Sequence, residues 1–255
     1  MLNGMRSLGI GLAFLAVLTA ASFVIAGSPA HLGSRFADAY TAFSPLVALY
    51  ASYRDYLFDG TAVEIPANLA ASCERFSYEL ALFHLDYVVQ TESASAGGLV
   101  YLARLRAEST SFCDTYDAWI RSLAESVEVD TDLLNAASDD GLFAGIKRTN
   151  ELLEVVLDEI LVGLGEGVER WAFAVSFSMR SLLNQTEFER IDETYLREIL
   201  YADPEGVAPP FAVPDGIALA MERLVDLSGR DLSDDEADDA VRLAAAIYAY
   251  FVGGP

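Results

Sequence analysis

Residues 36–57 read FADAYTAFSPLVALYASYRDYL. Within them Phe36, Tyr40, Phe43, Val47, Tyr50, Arg54 and Leu57 follow at alternating steps of four and three, and only Arg54 is charged. That spacing draws one apolar stripe along an α-helix; a strand would need strict alternation. Ser44-Pro45 falls inside the pattern. Proline is accepted in a first helical turn and removes a hydrogen bond from an interior, so the helix is expected to kink or restart there. Tyr40, Tyr50, Tyr53 and Tyr56 all lie in this helix. Such rings suit a half-buried seam, packing while their hydroxyls reach water, and they also suit a groove for an apolar ligand.

The same period recurs on the C-terminal side. Pro66 can open a second helix, striped by Leu69, Cys73, Phe76, Leu80, Phe83 and Tyr87. A polar loop at 91–98 (TESASAGG) precedes a third helix carrying Leu102, Leu105, Ser109, Phe112, Tyr116, Trp119 and Leu123. Three such stripes bury one another, so residues 31–128 are expected to form an antiparallel three-helix bundle. An acidic link at 128–140 (EVDTDLLNAASDD) follows, and residues 129–255 should add further helices packing on that bundle.

The first of these carries Leu142, Ile146, Leu153, Val156, Ile160 and Leu164. Gly163, Gly165 and Gly167 then mark either a break or a close helix contact over Gly163 and Gly167, since each glycine costs a helix interior about 1 kcal/mol. A helix over 168–183 comes next, and Thr186–Glu189 fits a capping box opening another. The connector 203–214 (DPEGVAPPFAVP) holds four prolines and cannot be helical. A helix over 215–227 should stop at Gly229, and Ser233–Glu236 is a second capping box. The last helix is striped by Val241, Ala245, Ile247, Tyr248 and Phe251. The fold class is therefore all-α, an antiparallel bundle of about six to eight helices.

On the N-terminal side, Arg6 is the only charged residue before Arg35, and residues 8–26 read LGIGLAFLAVLTAASFVIA. A short positive stretch, an apolar run and small exit residues make residues 1–26 a secretory signal, with exits before Gly27 or before His31. The alternative is an uncleaved membrane anchor over 8–26, with Arg6 inside and the body outside. Both readings export the body to the periplasm, cell envelope or exterior. The chain has 16 basic and 39 acidic residues, a formal net charge of −23. That balance excludes nucleic acid as a partner and leaves a cationic protein or ion as one.

Cys73 and Cys113 are the only cysteines in a chain bound for an oxidising compartment. Cys73 stands 17 residues before Gln90, and Cys113 stands 14 after Leu99. Across an antiparallel hairpin these heights differ by less than one turn, so a disulfide is expected. Closing a span of 40 residues would contribute about 4 kcal/mol in the chain-entropy account. The competing reading is two buried thiols; the close spacing of a catalytic dithiol is missing.

Signs of chemistry are few. His31 and His84 are the only histidines, with His31 placed at a new, disordered N-terminus and Asp86 on a different helix face from His84. No phosphate-binding loop, dinucleotide fingerprint or nucleophile elbow occurs, so neither a cofactor nor a catalytic residue is expected. Glu151, Glu154 and Asp158 share a helix face but lack the Glu-x-x-His pairs of a di-iron site, which makes them a solvated face. Asp226–Glu236 is loosely like a calcium loop, yet one alignment puts Val225 and Leu227 at the first ligand positions and the other falls one residue short. Asn184-Gln185-Thr186 is a formal glycosylation sequon. The sequence thus points to an exported protein that binds or scaffolds. Its alternatives are a carrier of an apolar or aromatic ligand between helices and an enzyme using carboxylates and tyrosines.

Overall fold

The computed structural model describes residues 28–61, 69–89, 98–110, 142–185 and 191–253. Among them are eight helices and no strand: α1 (Pro29–Asp59), α2 (Leu69–Val89), α3 (helical over 98–110), α4 (Leu142–Gly163), α5 (Val168–Leu183), α6 (Glu193–Tyr201), α7 (Asp215–Leu227) and α8 (Asp234–Gly253). The helices pack on one another as a bundle.

α1 is the spine, 31 residues in one helix. Its start is built from three adjacent residues. The Ser28 hydroxyl accepts from the His31 N–H at 3.2 Å, and Pro29 takes the first helical position, where no N–H is needed. Pro45 neither ends nor restarts the helix. Lacking an N–H, it leaves the Thr41 carbonyl without its helical donor. The Ser44 hydroxyl donates to that carbonyl at 2.9 Å, which makes good the loss.

Two cores form. The first joins α1 through Leu32, Phe36, Phe43, Leu46 and Tyr53 to α2, α3 and α4. The α2 stripe from Cys73 to Tyr87 is buried, as its spacing predicts, and so are Leu102 and Leu105 of α3 and Ile146, Leu153, Val156 and Ile160 of α4. Phe36 meets Phe83 at 5.0 Å and Phe43 meets Phe76 at 4.8 Å, two rungs of an antiparallel pair. The second core joins Trp171, Val175, Met179 and Leu182 of α5 to α6, α7 and α8.

α5 belongs to both cores. Phe173 faces the first while Trp171 and Val175 face the second, as expected of a helix apolar on two sides. Its approach to α1 depends on Gly33: a Cβ there would stand 2.3 Å from the Phe173 carbonyl oxygen and 3.1 Å from the Phe177 nitrogen. The two backbones touch. Ala30 and Ala37, on the same face of α1 as Gly33, are also buried.

Several expectations need correction. In α1 the buried face runs through Leu32, Phe36, Phe43, Leu46 and Tyr53, leaving Tyr40 (40% exposed) and Val47 (36%) at its edge. Leu46 and Leu49, next to the chosen positions, are the fully buried ones and belong to the first core. In α8, Ala240, Ala244 and Ile247 face the core while Val241 is exposed. The helix α6 starts at Glu193, with the Asp192 side chain accepting from the Tyr195 N–H at 2.8 Å; the capping box expected at 186–189 lies outside the described residues. The three glycines, by contrast, give the expected break and not the alternative close contact: α4 stops at Gly163, Gly165 has φ +67°, and no atom lies near a Cβ built on Gly167. His31 is not in a disordered end but in the first turn of α1, its Nε2 3.4 Å from Asp86. The segment 1–26, the residues 91–97 and 128–140, and Cys113 lie outside the described residues. Among the described residues no helix is long and apolar enough to cross a membrane.

Candidate functional site

The site is built where α4, α5, α6 and the proline-rich connector meet. Trp171, in the first turns of α5, donates from its indole N–H to the Ile199 and Leu200 carbonyls at 3.1 and 3.2 Å. These carbonyls belong to the last turn of α6 and have no helical donor, so the indole caps that helix. Beyond it, Ala202 turns the chain with φ 56°. Arg197 donates to the Gly206 carbonyl at 2.8 Å and fixes the connector against α6. The connector then lays Phe211 over Trp171, with ring centroids 5.5 Å apart, and Phe251 of α8 meets the indole edge-on at 5.0 Å.

This arrangement leaves an open cleft of about 650 Å³. At its base is Trp171, 6% exposed; Leu161, Ala174, Ile199 and Phe211 make its apolar wall. Glu166, Arg170 and Glu198 line its rim, all exposed, and none of them makes a hydrogen bond or ion pair among the described residues. A second recess, about 590 Å³ between α3 and α4, is lined by charges already engaged. There Arg148 binds Glu108 at 2.8 Å, and Arg104 lies over the Tyr101 ring.

A separate polar cluster ties α1, α5 and α8 together. Asp38 is buried and accepts from Arg180 Nε at 2.7 Å and from Asn184 Nδ2 at 2.8 Å. The Arg180 guanidinium lies over the Tyr248 ring at 5.7 Å, and the Tyr248 hydroxyl meets Ser34 Oγ at 2.6 Å. Burial pulls the guanidinium pKa down, but hydrogen bonds and charge from Asp38 outweigh it and hold the group above its ordinary value. The cluster is structural in character, since both its charges, Asp38 and Arg180, are paired with each other. Asn184, first residue of the sequon, spends its amide inside this cluster, where a glycan could not be carried without breaking the bond to Asp38.

The other singled-out residues scatter. Cys73 is buried in α2. Glu151, Glu154 and Asp158 are exposed, and among the described residues no three His, Cys, Asp or Glu side chains gather as metal ligands. His84 is half-buried beside Arg106, its Nδ1 3.1 Å from the guanidinium. Burial and then the Arg106 charge push its pKa down.

Glu236 takes the Ser233 backbone N–H and hydroxyl at 3.0 and 2.9 Å and Arg230 at 2.7 Å. Its Oε2 thus takes the N-cap N–H, as a capping box requires, while Oε1 takes Arg230. Those bonds, Arg230 first, hold its carboxyl at about 2 against an ordinary 4.5. A depressed carboxylate stabilises the fold above its unfolded pKa and loses that contribution as pH falls through the folded one. Glu236→Gln should therefore lower the melting temperature at neutral pH, and the gap to wild type should close between about pH 4.5 and 2. Millimolar calcium should leave both melting temperatures unchanged; a calcium-dependent rise in wild type alone would show a metal site instead.

No protein-family model, curated protein or solved structure matches the chain. Sequence reasoning missed the cleft because its two aromatic residues are 40 positions apart. The available signal was Phe211, the one aromatic side chain in the connector 203–214.

Proposed function

We propose that this chain is an exported binding protein and that the Trp171–Phe211 cleft holds its ligand. The cleft carries the reading. Its volume falls within the roughly 300–1,000 Å³ of small-molecule sites, and its apolar wall with a few polar rim groups is their usual composition. The rim carboxylates are exposed, which favours binding over carboxylate catalysis, since that calls for buried acids. Nile red, a neutral apolar dye, should bind at one site per chain and be lost in Phe211→Ala. Unchanged dye binding in that variant would sink the reading.

Export rests on residues 1–26, and the start of α1 supports one of the two exits. Cleavage before Gly27 keeps Ser28 and Pro29, which begin the helix. Cleavage before His31 would remove both, together with the buried Ala30, and loss of such a cap costs about 1 kcal/mol. The Cys73–Cys113 bond belongs to the same proposal. Ser77 Oγ of α2 and Ser109 Oγ of α3 lie 3.4 Å apart. Cys73 is four residues before Ser77 and Cys113 four after Ser109, a symmetric spacing that supports the expected pairing. Intact mass of protein from its native host should correspond to a chain starting at Gly27 and lighter by two hydrogens than the dithiol. A start at Met1 would overturn cleavage, and two thiols alkylated after unfolding without reductant would overturn the bond.

A further inference from the structure

We propose that the cleft takes a small organic cation, an ammonium or guanidinium group carried on an aromatic or apolar body. The inference rests on the cleft being the ligand site, and adds the charge of what enters it.

Three observations converge on a cation. Phe211 and Trp171 offer aromatic surface, Phe211 being 38% exposed, and the faces of such rings attract cations. Glu166 and Glu198 on the rim have no cationic partner among the described residues, so a ligand cation would displace no pair seen there. The chain as a whole carries a net charge of −23, a field that concentrates cations at a low-dielectric mouth and repels anions. Arg170 acts in the opposite sense. It is exposed and also lines the cleft, and long basic side chains commonly lay the stem on apolar surface with the charge in water. Two carboxylates against one guanidinium leave the rim negative.

The cleft has room for the body. A space of about 650 Å³ is ample for an aromatic ring with a short chain, and the rim is where that chain would end. An arylalkyl amine therefore places its ring on the Trp171–Phe211 wall and its ammonium group at the carboxylates.

The test uses three probes that share one ring and differ in the terminal group: 2-phenylethylammonium, 2-phenylethanol and 3-phenylpropionate. Calorimetric titration of the full oxidised protein at low salt should give about tenfold tighter binding of the amine than of the alcohol, and the weakest binding of the carboxylate. The preference for the amine should vanish in the Glu166→Gln, Glu198→Gln double variant while the alcohol still binds. Arg170→Gln should tighten the amine further, and added salt should narrow the difference. Equal binding of amine and alcohol, with both lost in Phe211→Ala, would overturn the cation and keep the cleft. Tightest binding of the carboxylate, lost in Arg170→Gln, would overturn the cation in favour of an anion. Failure of all three probes to bind would overturn the ligand cleft itself.

Discussion

Gly33→Ala should lower the stability of the fold by about 1–3 kcal/mol, with Gly33→Val worse, because overpacking a rigid contact costs that much. The added carbon would lie 2.3 Å from the Phe173 carbonyl oxygen. A backbone oxygen in the middle of a helix cannot rotate away as a side chain would. The whole of α5 must retreat from α1, and the contacts of Phe36 with Phe177 at 5.9 Å and of Tyr40 with Phe177 at 5.9 Å loosen with it. In thermal melts the loss should appear as about 2–4 °C for each kcal/mol at this chain length. Gly216→Ala in α7 is the control, since a Cβ there would meet no atom within 4 Å. It should be neutral or slightly stabilising, because alanine suits a helix better than glycine. Equal melting temperatures for Gly33→Ala and wild type would show that α1 and α5 are not in backbone contact.

Asp38→Ala should cost about 2–4 kcal/mol, because it leaves Arg180 partly buried without its counter-charge. The full cost of orphaning a buried charge is higher. It is reduced here because the Arg180 side chain keeps 34% of its surface in water against 9% for Asp38. Asn184 would lose its acceptor in the same variant. Asp38→Asn, which keeps an oxygen for both donors, should cost less. Urea denaturation of Asp38→Ala, Arg180→Ala and the double variant should reveal a coupling of about 1–3 kcal/mol between the two positions. Strictly additive losses would mean that the pair does not act as a unit.

How far the fold can be read from its sequence depends on where each kind of information sits. Helix identity is local, and the α2 stripe from Cys73 to Tyr87 and the span of α5 agree with the spacing that predicts them. Choosing which of two adjacent apolar positions is central is not local. Val47 and Leu46 differ by one step around the helix, and only the packing of the other helices of the first core makes Leu46 the buried one. Pro45 misleads for a related reason: the remedy is a neighbouring hydroxyl, Ser44, whose bond to Thr41 no hydrophobic pattern records. The cleft is further still from local pattern. Its wall needs the indole of α5, a ring from the connector and the end of α6 together, and Trp171 alone reads as core. Asp38 does carry a signal, as the one acid among the apolar residues from Phe36 to Tyr50, but its partners Arg180 and Asn184 lie more than a hundred residues away.

The double allegiance of α5 also bears on how this molecule comes apart. A helix that completes two cores cannot leave one of them without opening the other. The N-terminal helices would lose Phe173 and the contact at Gly33; the C-terminal helices would lose Trp171, Val175 and Met179. Neither half contains its own last wall. The chain is therefore expected to melt as a single cooperative unit, without a stable half-folded state in which one core survives the other. It follows that the proposed ligand cleft, set against α5, forms only when the first core has also closed.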